Sequence, residues 1–270
     1  MPETPTPPTP EPALVKTVEK PATAFAPREK LSLVGLTRAD LTRSLTFADV
    51  PERELRMRVS QLWNWIYVRG ARDFDSMSNI ARDLRKRLAD TFTLERPEVA
   101  AEQVSRDGTR KWLLRMAPVD AFDKGAEIEC VYIPEHDRGT LCVSSQVGCT
   151  MTCTFCHTGT QPWVRNLTAA EIAAQVIVAR DTLGEWPGQT PPDGAIVPVS
   201  AGGRLISNVV YMGMGEPLFN LDNVVKSIDI LSDAEGMALS RRRITVSTSG
   251  VAPQIVHLGE LANPMLAVSL

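Results

Sequence analysis

The second half of the chain alternates short apolar segments with helical ones, and this alternation limits the possible folds more than any other feature. Strands are predicted at residues 140–145, 208–212, 243–247 and 265–270, and helices between them at 168–183, 221–231 and 253–261. Strands separated by helices predict parallel pairing with right-handed crossovers. The expected fold class is therefore α/β, either a partial barrel or an open doubly wound sheet.

Polar and glycine-rich residues follow each of these predicted strands. A cysteine-rich loop follows the first, residues 213–217 (GMGEP) the second, residues 248–250 (TSG) the third, and Ser269 with Leu270 ends the fourth. The carboxyl ends of parallel strands share one rim, where α/β proteins bind their ligands. These four segments are therefore expected to converge.

The loop after the first strand holds three closely spaced thiols, Cys149, Cys153 and Cys156. Structural zinc sites usually use four protein ligands, whereas three thiolates can hold a 4Fe-4S cluster and leave one iron open. A zinc site that adds His157 is an alternative, but His157 directly follows Cys156, and adjacent residues chelate one ion poorly. Three merely buried thiols are a second alternative, which the surrounding threonines and glycines disfavour.

The first half of the chain predicts three further regions. Residues 1–27 are rich in proline and read as a disordered tail, and residues 28–98 as a helical accessory domain with an RNA-binding role. In the latter, Thr37 with Asp40 predicts a helix start, Pro51 the first position of a second helix, and Gly70 its end. A third helix is predicted near 80–88, and its basic residues fit a solvated face as well as an RNA-facing one.

Residues 99–138 predict an antiparallel β extension, with a hairpin at Asp107-Gly108. In its third strand, alternation places Glu127 and Glu129 on one face and Ile128 and Cys130 on the other. Residues 139–270 form the α/β core, in which the Gly- and Pro-rich segment 186–205 is expected to be a surface insertion.

Composition narrows the functional classes. The net charge of -3 gives no overall nucleic-acid signature. The five cysteines are an odd number and do not suggest a secreted disulfide framework, so a reducing cytoplasm is expected. The sequence lacks an apolar run long enough to predict a membrane span, and its N-terminus does not resemble a signal peptide.

Several segments together resemble a known family. The C-x-x-x-C-x-x-C loop resembles the radical S-adenosylmethionine superfamily, whose core is a partial (β/α) barrel. More narrowly, GTLCVSSQVGC, CHTG, RNLTAAEI, VVYMGMGEPLFN and RRRITVSTSG resemble the RlmN family of methyltransferases, which modify adenine carbon 2 in 23S rRNA and tRNA. The helical region also fits the accessory domain of that family.

The resemblance implies a cofactor site. Cys149, Cys153 and Cys156 would hold a 4Fe-4S cluster whose fourth iron binds S-adenosylmethionine, which is cleaved to a 5'-deoxyadenosyl radical. Gly215 and Glu216 match ligands of the methionine moiety, where glycine allows close approach and a carboxylate accepts from an ammonium. Further matches to cofactor contacts are Ser247, Ser269 and Leu270. Without the resemblance, these residues would be interpreted as turn and strand-end residues.

The resemblance also implies a methyl relay. In the family, a cysteine near the C-terminus carries the methyl group, and Cys142 matches the thiol that releases the product by forming a disulfide with it. Glu129 matches the proton acceptor, and Glu127 is its rival on the same strand face. The methyl-carrying cysteine is missing after Cys156, and the chain ends on an apolar strand. We therefore expect a C-terminally truncated chain.

Other functions are compatible with the same residues. One alternative is the related carbon-8 methyltransferase of the antibiotic-resistance family, and another is an inactive fragment that only binds metal or RNA. The expected partners are 23S rRNA, tRNA and an electron donor such as flavodoxin, and the expected state is a monomer away from membranes.

Overall fold

The structure is a computed structural model that describes residues 30–118, 125–154, 156–192, 195–199 and 202–269. The predicted proline-rich tail at 1–27 and the candidate cofactor residue Leu270 lie outside the described residues.

Six α-helices lie in the described residues: α1 Arg38–Phe47, α2 Glu52–Trp63, α3 Arg82–Thr91, α4 Ala169–Leu183, α5 Leu221–Ser232 and α6 Ala252–Leu261. The strands are β1 Leu31–Ser32, β2 Phe92–Thr93, β3 Glu98–Val104, β4 Arg110–Met116, β5 Ala126–Pro134, β6 Gly139–Cys142, β7 Gln146–Val147, β8 Arg165–Asn166, β9 Asn208–Tyr211, β10 Ile244–Thr248 and β11 Met265–Val268.

One seven-stranded sheet organises the molecule, in the order β11-β10-β9-β6-β5-β4-β3. Strands β6, β9, β10 and β11 are parallel neighbours in sequential order. A doubly wound sheet reverses its strand order at a switch point, whereas sequential order is that of a barrel wall. The order therefore resolves the two predicted architectures in favour of the partial barrel.

The antiparallel strands β3, β4 and β5 extend the same sheet through the pairing of β5 with β6. The predicted β extension is thus continuous with the core. The predicted alternation in β5 is confirmed, because Glu127 and Glu129 are exposed while Ile128 and Cys130 are buried.

The helical lobe, residues 30–94, begins as predicted but differs in detail. Thr37 and Asp40 form a capping box at the start of α1. Pro51 was predicted to be the first residue of α2, but it is the N-cap. The helix therefore begins one residue later than predicted, at Glu52. A π-helical segment, Asn64–Val68, continues α2, and Gly70 follows its end in the left-handed conformation, with φ of +65°.

The lobe packs closely against α4 and the chain that follows it. A Cβ at Gly35 would overlap the backbone of Ala170, and a Cβ at Gly70 would overlap the Trp186 ring. Buried side chains of the lobe and of the sheet form one contiguous hydrophobic core.

A buried ion pair fixes the same contact. Arg96 lies between the lobe and α4, and its Nε donates to Asp181 Oδ2 at 2.9 Å. The other guanidinium nitrogens donate to the carbonyl oxygens of Gly70, Ala71 and Leu94. The Trp186 indole donates to Asp181 Oδ1 at 2.6 Å.

The predicted surface insertion at 186–205 is wrong at its two ends. Trp186 and Leu205 are buried, whereas Ile196, Val197 and Val199 are exposed. The Arg180 guanidinium stacks on the indole of Trp186, 3.8 Å from the ring centroid. Trp186 therefore attaches the segment to α4, although the composition of the segment predicts a surface position. None of the helices in the described ranges is sufficiently long and apolar to traverse a bilayer.

Candidate functional site

The cysteine loop, residues 148–164, emerges between β7 and β8. These two strands pair antiparallel, Gln146 with Asn166 and Val147 with Arg165, so the entry and exit of the loop lie side by side. Gly148 turns the chain at φ of +70°. The pairing of β7 with β8 therefore closes the base of the loop, a few residues after the end of β6.

Backbone hydrogen bonds between residues three positions apart fold the loop around its thiols. The Cys156 amide donates to Cys153 O and the Gly159 amide to Cys156 O, both at 3.1 Å. A Cβ at Gly159 would lie 2.9 Å from Cys153 O, so the turn is tight at this glycine. His157 begins a 3-10 turn and is exposed.

The three loop cysteines are half-buried, and two of them affect the third electrostatically. Burial raises the pKa of the Cys149 thiol, a hydrogen bond from the Met151 amide opposes this, and the neighbouring Cys156 and Cys153 raise it further. Across the described part of the chain, no three metal-binding side chains are close enough to hold an ion as they stand. Three soft sulfur donors on one loop fit an iron-sulfur cluster by their chemistry.

Glu216 joins the ends of two parallel strands beside this loop. Its carboxylate is buried, with 4% of the residue exposed. Oε1 accepts from the Leu218 amide at 3.0 Å, and Oε2 accepts from the Ser249 amide at 2.9 Å and the Ser249 hydroxyl at 3.0 Å. A carboxylate has about four acceptor sites, so Oε1 can accept one further bond, and the residue can both organise the rim and bind a donor.

Gly215 lies directly against Gln146. Its φ is +98°, and an added Cβ would lie 2.6 Å from Gln146 Cγ. The glycine therefore makes room for a side chain of the protein itself, in addition to any room that it gives a ligand.

Sequence reasoning missed Gln146, which is fully buried beneath the cysteine loop. It stands in a run of small and apolar residues directly after the predicted strand 140–145, and its only sequence signal is an amide side chain in that run. Two other buried amides support the same rim. Gln175 clasps the Ser144 backbone, and Asn220 donates to Ser145 O and Leu167 O.

Cys142 and Glu129 share one face of the sheet. Cys142 pairs with Val131 on one side and Val210 on the other, and Glu129 lies two residues from Val131. Burial raises the pKa of the Cys142 thiol to about 11, although a backbone hydrogen bond from Met212 opposes the shift. Cys142 is therefore a neutral thiol near pH 7.

The Glu129 carboxylate is half-exposed and accepts from Lys111 Nζ at 2.8 Å. Its rival Glu127 is paired with Arg115 at 2.9 Å. Both candidate bases thus have a cationic partner on β4, so the contacts do not separate them.

Ser247 and Ser269 lie on neighbouring strand ends. Ser247 is half-buried opposite Ala267, and the Ser269 amide donates to Thr248 O at 2.9 Å. The structure therefore brings the cysteine loop, Glu216 and the end of β10 to one rim, as expected. All five cysteines are free, so the expected disulfide is not found in this chain.

Comparisons with known proteins match the helical lobe to a family model and nearly the whole chain to relatives. Residues 31–94 match the family model described as "Ribosomal RNA large subunit methyltransferase N-terminal domain". The chain is 64% identical over 261 residues to the "Dual-specificity RNA methyltransferase RlmN" of Methylorubrum extorquens (strain PA1), which covers 96% of this chain and 60% of that protein. The protein of the same name from Rhizobium meliloti (strain 1021) is 58% identical, over 94% of this chain and 61% of its own length.

A solved structure has a similar fold. The crystal structure of a radical SAM methyltransferase from Sphaerobacter thermophilus superposes with a TM-score of 0.72 at 39% sequence identity, covering 89% of this chain and 63% of that one. The chain thus spans about 60% of the length of the relatives that it matches.

Proposed function

This chain is a homologue of the dual-specificity RNA methyltransferases RlmN, and from that premise we propose that it serves radical S-adenosylmethionine-dependent methylation of adenine carbon 2 in 23S rRNA and tRNA. The observation that carries the proposal is the position of the cysteine loop. It stands at the rim where β6 and β9 end, next to the buried Glu216 carboxylate.

Each rim residue has a role in this proposal. Cys149, Cys153 and Cys156 would hold a 4Fe-4S cluster, which supplies the electron for reductive cleavage of S-adenosylmethionine when bound. Gly215 and Glu216 would receive the methionine moiety, since Glu216 has acceptor capacity left for an ammonium group. Ser247, Ser269 and Leu270 would contact the remainder of the cofactor.

Glu129 and Cys142 would handle protons and sulfur on the sheet face that they share. Glu129 would accept the proton from the modified adenine while Lys111 holds its carboxylate. Cys142 would resolve the sulfur-linked adduct by attacking the sulfur of the methyl-carrying cysteine. The disulfide would form as the bond from that sulfur to the adenine-bound carbon breaks, and the carbon would keep the electron pair. Because its raised pKa keeps it protonated near pH 7, its thiol must give up a proton as it attacks.

Anaerobic reconstitution of the chain with iron and sulfide tests the cluster. We expect about four irons per chain, as the cluster type requires, and visible absorption that disappears in Cys153→Ala. Zinc at one per chain without iron, or a cluster that survives the substitution, would contradict the proposal.

Mass mapping of the modified adenine tests the position of the methyl group. RNA from cells that lack the endogenous enzyme and express this chain, joined to the segment of a relative that holds the methyl-carrying cysteine, should carry 2-methyladenine. Methylation at carbon 8 would instead assign the chain to the related resistance enzymes.

Three further expectations belong to the same proposal. The electron donor would be a flavodoxin-like protein, the enzyme would act as a monomer, and it would work in the cytoplasm, where five unpaired thiols are stable. Size measurement of the purified protein and reduction of its cluster by a flavodoxin test the first two.

A further inference from the structure

Gln146 is an amide side chain in a place that normally disfavours one. It is fully buried at the base of the cysteine loop. A buried amide is costly unless its donors and acceptors are paired, so its partners indicate why it is there.

Its partners come from three separate segments of the rim. Nε2 donates to Asn166 Oδ1 at 2.7 Å, at the exit of the cysteine loop. Oε1 accepts from the Glu216 amide at 2.9 Å, and at 3.4 Å from both the amide and the hydroxyl of Thr150, which directly follows Cys149. One side chain therefore contacts the start of the loop, its end and the strand end beside it.

Two neighbouring features support this arrangement. The Gln146 amide itself donates to Met214 O at 3.1 Å, so its backbone and side chain are attached to the same strand end. On the other side, Asn166 donates onward to Phe219 O at 3.1 Å. The positive φ and absent Cβ of Gly215 leave the space that the Gln146 stem occupies.

Gln175 provides a contrast within the same structure. It is equally buried, but both of its side-chain hydrogen bonds go to the backbone of Ser144, at 2.8 and 2.9 Å. It fixes α4 to the end of β6, and within the described residues it has no side-chain hydrogen bond to the loop or to Glu216. Gln146 and Gln175 are therefore a matched pair that separates general support from attachment of the loop.

We propose that Gln146 is a positioning residue that fixes the cysteine loop relative to the Gly215-Glu216 strand end, and so sets the distance between the cluster and the methionine-binding groups. The part that concerns cluster and cofactor rests on the function proposed above. The attachment itself is a property of the chain without cofactor.

Hydrogen exchange of the full chain without metal tests the attachment. In Gln146→Leu, peptides within residues 149–166 should exchange about 10-fold faster than in the unsubstituted chain, since buried hydrogen bonds that hold the loop are lost. The control Gln175→Leu should leave exchange in 149–166 unchanged. Equal exchange in Gln146→Leu and the unsubstituted chain, or equal acceleration by both variants, would overturn the proposal.

A milder variant covers the case in which Gln146→Leu does not fold. Asn166→Ala removes the partner of Gln146 Nε2 at the loop exit, together with the onward bond to Phe219 O, and leaves Gln146 in place. Residue 166 is half-buried. We expect faster exchange at the exit of the loop and no change in the helical lobe. Unchanged exchange at the exit would count against the proposal in the same way.

Cofactor binding is the second measurement. After anaerobic reconstitution, Gln146→Leu should hold as much iron as the unsubstituted chain but bind S-adenosylmethionine about 10-fold more weakly by calorimetry, the same loss of buried hydrogen bonds. Unchanged affinity would overturn the cofactor part of the proposal. Failure of the unsubstituted chain to take up iron would instead contradict the proposed function, and the exchange result would still decide the attachment.

Discussion

Two regions of the molecule are held in opposite ways. One is the contact between the helical lobe and α4, and the other is the cysteine loop. In the contact, Arg96 and Asp181 are almost completely buried, and every oxygen and nitrogen named there has a short, direct partner. In the loop, the thiols are half-buried and two of the attachments to Gln146 are 3.4 Å long. The difference indicates a tightly fixed scaffold that carries a more loosely attached loop.

Loss of one loop cysteine should have the largest effect, and only on the loop. Cys156→Ser should abolish the cluster, while unfolding of the metal-free chain changes by no more than about 0.5 kcal/mol, as for half-exposed sites without packing. Iron and sulfide analysis with urea unfolding measures both. A large loss of stability in the metal-free chain would show that the loop is part of the scaffold.

Removal of the buried carboxylate should affect the scaffold strongly. Asp181→Ala leaves Arg96 buried without its counter-charge, which costs about 3–5 kcal/mol of unfolding free energy. The matched control is Asp229→Ala, which breaks the exposed pair with Arg241 and should cost less than about 1 kcal/mol. Urea unfolding compares the two variants. Similar losses of stability would show that the buried pair contributes no more to the scaffold than an exposed pair does.

The buried thiol of Cys142 should make stability depend on pH in the alkaline range. Its pKa is raised to about 11 in the folded chain, so its contribution is complete below the unfolded pKa near 9 and is lost as the pH rises towards 11. The loss amounts to about 2–3 kcal/mol. Unfolding at pH 8 and pH 11 should differ less in Cys142→Ser, and an identical pH dependence would contradict the shift.

Close packing at Gly70 should have a smaller effect. Gly70→Ala introduces both a strained φ and an overlap with Trp186, and overpacking costs about 1–3 kcal/mol. Gly188→Ala has a similar φ of +81° with open space around it, so it isolates the strain, roughly 1 kcal/mol. In thermal unfolding, Gly70→Ala should have a lower Tm than Gly188→Ala. The reverse order would show that the Trp186 side chain moves aside without cost.

Local features were predictable, whereas attachments between distant segments were not. The helix start at Thr37 was predicted because its partner Asp40 lies three residues away. Asp181 and Gln146 were missed because their partners, Arg96 and Glu216, come from far along the chain. Hydrophobic periodicity places a residue on a face but does not identify the side chain opposite it.

The same limit applies to the sheet. The strands β6, β9, β10 and β11 were predicted from apolar runs, but the choice between a barrel wall and a doubly wound sheet depends on which edges pair. Trp186 was assigned to the surface because glycine and proline surround it, although one aromatic ring among them is buried against Arg180.

The Arg96 contact also bears on how chimeras of this protein should be designed. The match to the N-terminal family model ends at residue 94, yet Arg96 donates to Gly70 O and Ala71 O inside the lobe and to Asp181 on α4. An exchange of residues 31–94 with a relative would join one protein's lobe to the other protein's arginine. A graft that preserves the fold must therefore extend past Arg96 and transfer Asp181 and Trp186 with it.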